Sequence, residues 1–218
     1  MTTTYTGRVG NIVTRALRDF SDSANQTYLI DADCLAWINE AKDVLANSDA
    51  FIKTDTFDAD AGVWEYALRT ELSDYVQLHD LFWGTEKLPM VAASSHQAFR
   101  NWQRQGTGYS TPAGYFLLSD TLVVTPAPTS SVTDGFEAVY AYRPADMTGG
   151  TGYDTPPTTA AKDQYYVEYI LFKAFQRREA DTYPRGQSMA DKHQRNMLQL
   201  KAEILGTLTP DAGFMPYR

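Results

Sequence analysis

The hydrophobic residues at both ends of this 218-residue chain recur with the spacing of α-helices, whereas those in the middle alternate as in β-strands. Because these two periods are incompatible, the change between them restricts the fold to the α+β class. We predict a mainly helical fold, in which the N- and C-terminal helix pairs form a four-helix body around an inserted small antiparallel β domain. The predicted parts are residues 1–50 and 160–206 for the body, 51–147 for the β domain, 148–159 for a linker and 207–218 for a C-terminal docking tail.

The N-terminal helix pair is predicted from two apolar stripes. The first helix is expected over about residues 6–20, with Val9, Ile12, Val13, Ala16, Leu17 and Phe20 at helical offsets. The second is expected to begin after Asp31, which can act as an N-cap. Its apolar face consists of Leu35, Ile38, Ala41, Val44 and Leu45, with Trp37 on the flank. Two such helices form a hairpin that leaves an apolar face to be covered.

The C-terminal helix pair is predicted to cover that face. A helix over about residues 160–181 is apolar around much of its circumference, which indicates burial between neighbours. A second helix over about residues 187–205 has a narrow apolar stripe of Met189, His193, Met197, Leu200 and Ile204. The four helices therefore pack together.

The middle of the chain shows turn signals at short intervals between alternating segments. Residues 58–62 are predicted to be a turn, residues 78–91 a hairpin around Gly84, and residues 115–124 a second hairpin. The clearest strand is predicted over residues 136–142. A short amphipathic helix is predicted over residues 95–105, where Phe99, Arg100, Trp102 and Arg104 leave nucleic-acid contact open as an alternative.

No arrangement of reactive side chains indicates catalysis. His79, His96 and His193 lack the spacing of metal ligands, and phosphate-binding or nucleophile motifs are missing from the sequence. Asp55, Asp58 and Asp60 fit a solvated turn better than a calcium loop. Cys34, the single cysteine, is predicted to be a buried small hydrophobe. We therefore predict no enzyme, no catalytic residue, no metal and no cofactor.

The net charge of −8 disfavours sequence-independent nucleic-acid binding, which requires the opposite sign. No apolar run reaches the length of a membrane span, and the N-terminus does not resemble a secretory signal. The apolar tail is unusual for a terminus, and docking on its own domain or on a partner both remain open. Its residues are Phe214, Met215, Pro216, Tyr217 and Arg218.

Two short motifs carry a family resemblance. The order helix, helix, β insertion, helix, helix resembles the head-to-tail adaptors of short-tailed bacteriophages, the tail-tubular A-like or head-completion connectors. The matching residues are Leu17 and Asp19 in the first helix and Trp37, Asn39, Glu40 and Ala41 in the second. Tyr142-Arg143-Pro144 and Phe175-Gln176-Arg177-Arg178-Glu179 are also similar to such proteins.

The resemblance implies a structural virion protein. It implies a homo-oligomeric ring, usually dodecameric, between the portal protein and the tail or nozzle proteins, through which double-stranded DNA passes without specific binding. Residues 214–218 would be the portal-facing anchor, and acidic helix residues would line the lumen. It further implies assembly in the host cytoplasm, location in the virion neck and no membrane association.

The alternative is a binding module whose β domain recognises a glycan or a protein. Trp64, Tyr66, Phe82 and Trp83 could stack on sugars or fill the core of a small sandwich.

Overall fold

The computed structural model describes residues 7–20, 31–91, 111–147, 156–182 and 189–206. The chain divides into two compact units. One, the helical unit, comprises the described parts of residues 1–50 and 144–218. The other, the β unit, comprises the described parts of residues 51–143.

Five helices lie in the described residues. They are α1 (Gly7–Phe20), α2 (Asp31–Ala46), α3 (Leu68–Glu71), α4 (Asp163–Thr182, after a 3-10 turn at Ala160–Lys162) and α5 (Met189–Ile204). The short helix α3 belongs to the β unit, and the other four belong to the helical unit.

Helix α4 occupies the centre of the helical unit and packs against α1, α2 and α5. Its side chains are buried on nearly every side from Tyr165 to Leu171, as its apolar sequence predicts. Helix α1 buries five of the six residues of its predicted stripe, and the sixth, Leu17, is half-buried. On α5, Ala190, His193 and Met197 are buried, whereas Met189 is exposed, so including Met189 in the buried stripe is wrong.

The prediction of a mainly helical four-helix body is wrong. Helix accounts for 44% and strand for 29% of the structure, which makes the fold α+β without a helical majority. The helices are also unequal partners, because α1, α2 and α5 each pack mainly on α4. The physical reason is that α4 alone is apolar around its circumference, so it takes the central position.

The β unit contains seven strands in two antiparallel sheets. The strands are β1 (Ile52–Ala59), β2 (Glu65–Ala67), β3 (Tyr75–Trp83), β4 (Glu86–Lys87), β5 (Gly114–Leu118), β6 (Thr121–Thr125) and β7 (Val132–Tyr142). One sheet has the order β1-β7-β3-β4 and the other β2-β6-β5. Both predicted hairpins and the predicted strand over residues 136–142 are confirmed.

One hydrophobic core lies between the two sheets. Phe136 from the central strand β7 is at its middle, with ring centroids 5.1 Å from Phe57, 5.2 Å from Tyr66 and 5.1 Å from Trp83. Phe136, Ala138 and Tyr140 are fully buried, as their alternation predicts. Every member of this core belongs to the β unit.

Strand β1 is the main element that the sequence did not predict. It includes Asp58 and Ala59, so the turn predicted over residues 58–62 begins later than expected. As the edge strand of its sheet it buries only Phe57 and Ala59, and its polar residues lack a clear alternation. The helix predicted over residues 95–105 lies outside the described residues.

Candidate functional site on helix α2

Asn39 of α2 forms a two-point contact with the backbone of Met147. Its side-chain nitrogen donates to the Met147 carbonyl at 2.9 Å, and its side-chain oxygen accepts the Met147 N–H at 2.8 Å. One amide side chain thus satisfies both backbone groups of a residue that follows the end of β7. This contact fixes the segment Pro144–Met147 against α2.

Lys42, one turn after Ile38, supports the same segment from a fully buried position, with 0% of its side chain exposed. Its ammonium group donates to the Pro144 carbonyl at 2.8 Å and contacts the carboxylate of Asp146. A buried ammonium is costly unless hydrogen-bonded and paired, and these two partners meet that need. Asn39 and Lys42 therefore hold the segment Pro144–Met147 through four hydrogen bonds to three of its residues.

The remaining motif residues of α2 face α4. Lys173 donates to Glu40 Oε1 at 2.6 Å, and the guanidinium of Arg177 lies 5.0 Å from the centroid of the Trp37 ring while it also pairs with Asp33. Ala41 is fully buried. The motif residues of α2 thus face two neighbours, α4 and the segment Pro144–Met147.

Polar contacts extend across α4 to the other two helices. On the α1 side, Arg8 pairs with Asp163 and Arg15 donates to Gln164. On the α5 side, His193 Nδ1 lies 2.7 Å from Glu168 Oε2, and Asn196 donates to the same oxygen at 3.3 Å.

The Glu168–His193 pair is almost completely buried. The His193 ring stacks on Phe175 with centroids 5.1 Å apart and planes 6° apart. Burial by itself raises the pKa of Glu168, but the hydrogen bonds from His193 and Gln164 outweigh burial and hold that pKa below its usual value. Glu168 is therefore an ionised hydrogen-bond acceptor that joins α4 to α5.

The described residues contain no group of three or more His, Cys, Asp or Glu residues placed to hold a metal ion. Burial raises the pKa of Tyr166 to about 12 and also raises the pKa of Tyr165, so both hydroxyls stay protonated at neutral pH. Cys34 is buried, as predicted. None of the helices in the described ranges has the length and apolarity to cross a membrane.

The predicted site residues fall into three groups. Trp37, Asn39, Glu40 and Ala41 lie together on α2 in the contacts above. Leu17 is half-buried on α1, and Asp19 is exposed and accepts from the neighbouring Arg18 at 3.0 Å. Residues 214–218 lie outside the described residues.

The aromatic residues considered for glycan binding are divided between core and surface. Tyr66 is buried and Trp83 packs against Phe136, whereas Trp64 is 43% exposed. The buried ring of Tyr66 is therefore not available to stack on a sugar.

The sequence analysis did not identify Lys42 and Glu168, whose side chains form two of the contacts described above. The position of Lys42 carried a usable signal, because residues 38, 42 and 45 fall on one helical stripe and a lysine there must be buried. Glu168 carried no such signal, since its partner His193 lies on another helix.

Comparisons with known proteins indicate the family of the chain. No curated protein matches the chain. The sequence model of the SU10 adaptor protein family matches residues 7–214, which includes the α2 motif, the whole β unit and α5. The chain belongs to the SU10 adaptor protein family and is a structural bacteriophage adaptor.

Proposed function

We propose that this adaptor joins the portal of a bacteriophage head to its tail as a homo-oligomeric, dodecameric ring that extends the DNA channel. The family match over residues 7–214 is the observation that carries the proposal. In this proposal the protein assembles in the host cytoplasm and resides in the neck of the virion, with the portal protein and the tail or nozzle proteins as its neighbours.

The helical unit is suited to be the body of such a ring. Its helices are joined by polar contacts on three sides of α4: the buried Glu168–His193 pair, the partly buried Arg8–Asp163 pair and the exposed Glu40–Lys173 pair. A rigid body lowers the entropic cost of assembly, because fewer side chains must be ordered when copies associate.

The apolar segment Phe214–Arg218 is proposed as the portal-facing anchor. Phe214, Met215 and Tyr217 supply apolar and aromatic area, and Arg218 supplies a charge with bidentate geometry. Such residues dominate the binding energy of protein interfaces.

The negative net charge of the chain is consistent with a channel through which DNA passes without binding to the wall. Residues 51–143 contain eleven acidic and six basic residues. In the helical unit several carboxylates are paired with basic groups, including those of Asp33, Glu40 and Asp163. Carboxylates in residues 51–143 are paired too, among them those of Asp74, Asp80 and Asp120. The charge that would repel DNA phosphates is therefore the excess of acidic over basic residues, which is five in residues 51–143 and three in the rest of the chain.

Electron microscopy of the full-length protein mixed with purified portal protein tests the proposal. We expect an added ring of density on the portal. Deletion of residues 214–218 should abolish that density, whereas Asp211→Asn, three residues before the anchor, should preserve it. A portal that never gains a ring would refute the proposal, and a ring that forms without residues 214–218 would refute the anchor.

A further inference from the structure

One end of the β unit presents an exposed tryptophan and four exposed carboxylates. It is formed by residues 58–65, where β1 ends and β2 begins, and by residues 128–134, where β7 begins. We call these two segments the tip surface. Trp64 is 43% exposed and Val132 is 38% exposed, so two large apolar side chains face solvent here.

The two segments of the tip surface are held together by hydrogen bonds. Gly62 N donates to the Pro128 carbonyl at 2.7 Å, and Ala61 N donates to Ser131 Oγ at 3.1 Å. Asp134 N donates to Asp58 Oδ1 at 2.9 Å.

The tip surface is also tied to the core. The Tyr66 hydroxyl, whose ring packs on Phe136, accepts from Asp60 N at 3.2 Å and donates to the Val63 carbonyl at 3.2 Å. Val124 N of β6 donates to the Trp64 carbonyl at 2.8 Å. The tip surface is therefore ordered before any partner arrives, which reduces the entropic cost of binding.

The charge of the tip surface has a single sign. Its two segments contain four acidic residues, Asp58, Asp60, Glu65 and Asp134, and no lysine, arginine or histidine. All four are exposed. Carboxylates attract cations through their negative charge, and the face of an exposed aromatic ring attracts cations as well, so both features of the tip surface favour a basic partner.

We propose that the tip surface is a docking site for a lysine- or arginine-bearing surface of another virion protein. Charge complementarity decides the occupant. DNA and anionic membranes would be repelled by the four carboxylates. The tip surface of a second copy would bring four like charges against four, which is unfavourable. The lysine or arginine side chains of a basic protein surface can pair with the carboxylates and stack on Trp64. This inference does not depend on ring formation.

Binding of the full-length adaptor to each purified structural protein of the same virion, one at a time, tests the inference. We expect one of these proteins to bind, with the dissociation constant increased at least about tenfold by Trp64→Ala and by the double variant Asp60→Lys/Glu65→Lys. Added salt should weaken the same complex, because the contact is electrostatic. Trp64→Phe should restore part of the affinity.

Matched controls lie elsewhere in the β unit. Leu118→Ala removes an apolar side chain that is 46% exposed on β5, and Glu71→Lys reverses an exposed acid at the end of α3. Neither should alter the dissociation constant. All variants should keep the melting temperature of the parent protein and should still add a ring to the portal, which separates this inference from the proposed function.

The inference is overturned if no virion protein binds, if the bound protein tolerates the tip variants, or if the tip surface instead binds DNA or a second copy of the adaptor. Cross-linking in intact particles gives an independent readout. A photoreactive phenylalanine analogue in place of Trp64 should link to a lysine- or arginine-containing peptide of a different protein. Links only to the adaptor itself would count against the proposal.

Discussion

Asn39 shows how one side chain can define the course of a segment more than one hundred positions away. It binds both backbone groups of Met147, and Lys42 binds the carbonyl of Pro144 one helical turn further along. Backbone groups are present at every position, so Asn39 recognises a position of the chain rather than a particular side chain, whereas Lys42 also binds the Asp146 carboxylate.

Asn39→Ala is expected to destabilise the protein by about 1–3 kcal/mol, because it leaves the N–H and the carbonyl of Met147 without their partner. Chemical denaturation monitored by circular dichroism measures the loss. Asn47→Ala is the control, since Asn47 is exposed just beyond α2. Equal stability of the two variants would show that the Asn39 contact contributes nothing.

At the scale of elements, α4 is the common partner of the helical unit, and each neighbour adds its own polar contact to it. Arg8 and Arg15 bind from α1, Asp33 and Glu40 from α2, and His193 from α5. Because hydrogen bonds are directional, these contacts add to apolar packing in favouring one register of each helix on α4.

The Glu168 contact predicts a dependence of stability on pH. The pKa of Glu168 is lowered by folding from the ordinary value of 4.5, so the ionised carboxylate stabilises the fold above about pH 4.5. That contribution is lost as the pH falls through the lowered pKa. Glu168→Gln should therefore be less stable than the parent at neutral pH and should lose less stability on acidification.

Denaturation series at several pH values between about 3 and 7 measure this difference. Glu203→Gln, which changes an exposed glutamate on α5, should follow the parent curve. Parallel curves for Glu168→Gln and the parent would contradict the assignment.

In the β unit, the pairing of β1 with β7 depends on a close backbone approach at Gly135. A Cβ atom there would lie 2.8 Å from the Ala59 Cβ and 3.0 Å from the Val132 carbonyl oxygen. Gly135→Ala is expected to cost about 1–3 kcal/mol through overpacking. Thermal unfolding measures the change, and Ala59→Gly in the same chain should recover part of it.

Gly84→Ala is the comparison for Gly135→Ala. Gly84 has a φ of +56° in the turn between β3 and β4, and an added Cβ would have open space around it. Gly84→Ala should therefore destabilise the fold only through the left-handed backbone conformation, by about 1 kcal/mol. A larger loss at Gly84 than at Gly135 would contradict the close approach.

At the scale of the whole molecule, the β unit has a hydrophobic core of its own. The core of the β unit is formed entirely by residues within 51–143, and those residues are continuous in sequence. The helical unit is instead assembled from both ends of the chain.

Residues 51–143 expressed alone are therefore expected to fold. A dispersed amide NMR spectrum and a cooperative thermal transition would demonstrate this. The matched control is the same fragment with Phe136→Ala, which should lose about 3–5 kcal/mol and unfold, because Phe136 is at the centre of the core. A disordered spectrum for the parent fragment would contradict the independence of the β unit.

The sequence alone determined the four helices of the helical unit, the two hairpins and strand β7, because their periods of hydrophobic residues are local properties of the chain. It also indicated the adaptor family through residues on α1 and α2. Only the tertiary structure decided which helix is central, that the polar strand β1 forms a sheet edge, and that Lys42 and Glu168 are buried with partners. Such partners lie on distant segments, separated by 104 positions for Lys42 and Asp146, and a local pattern carries no information about a contact made only when those segments pack.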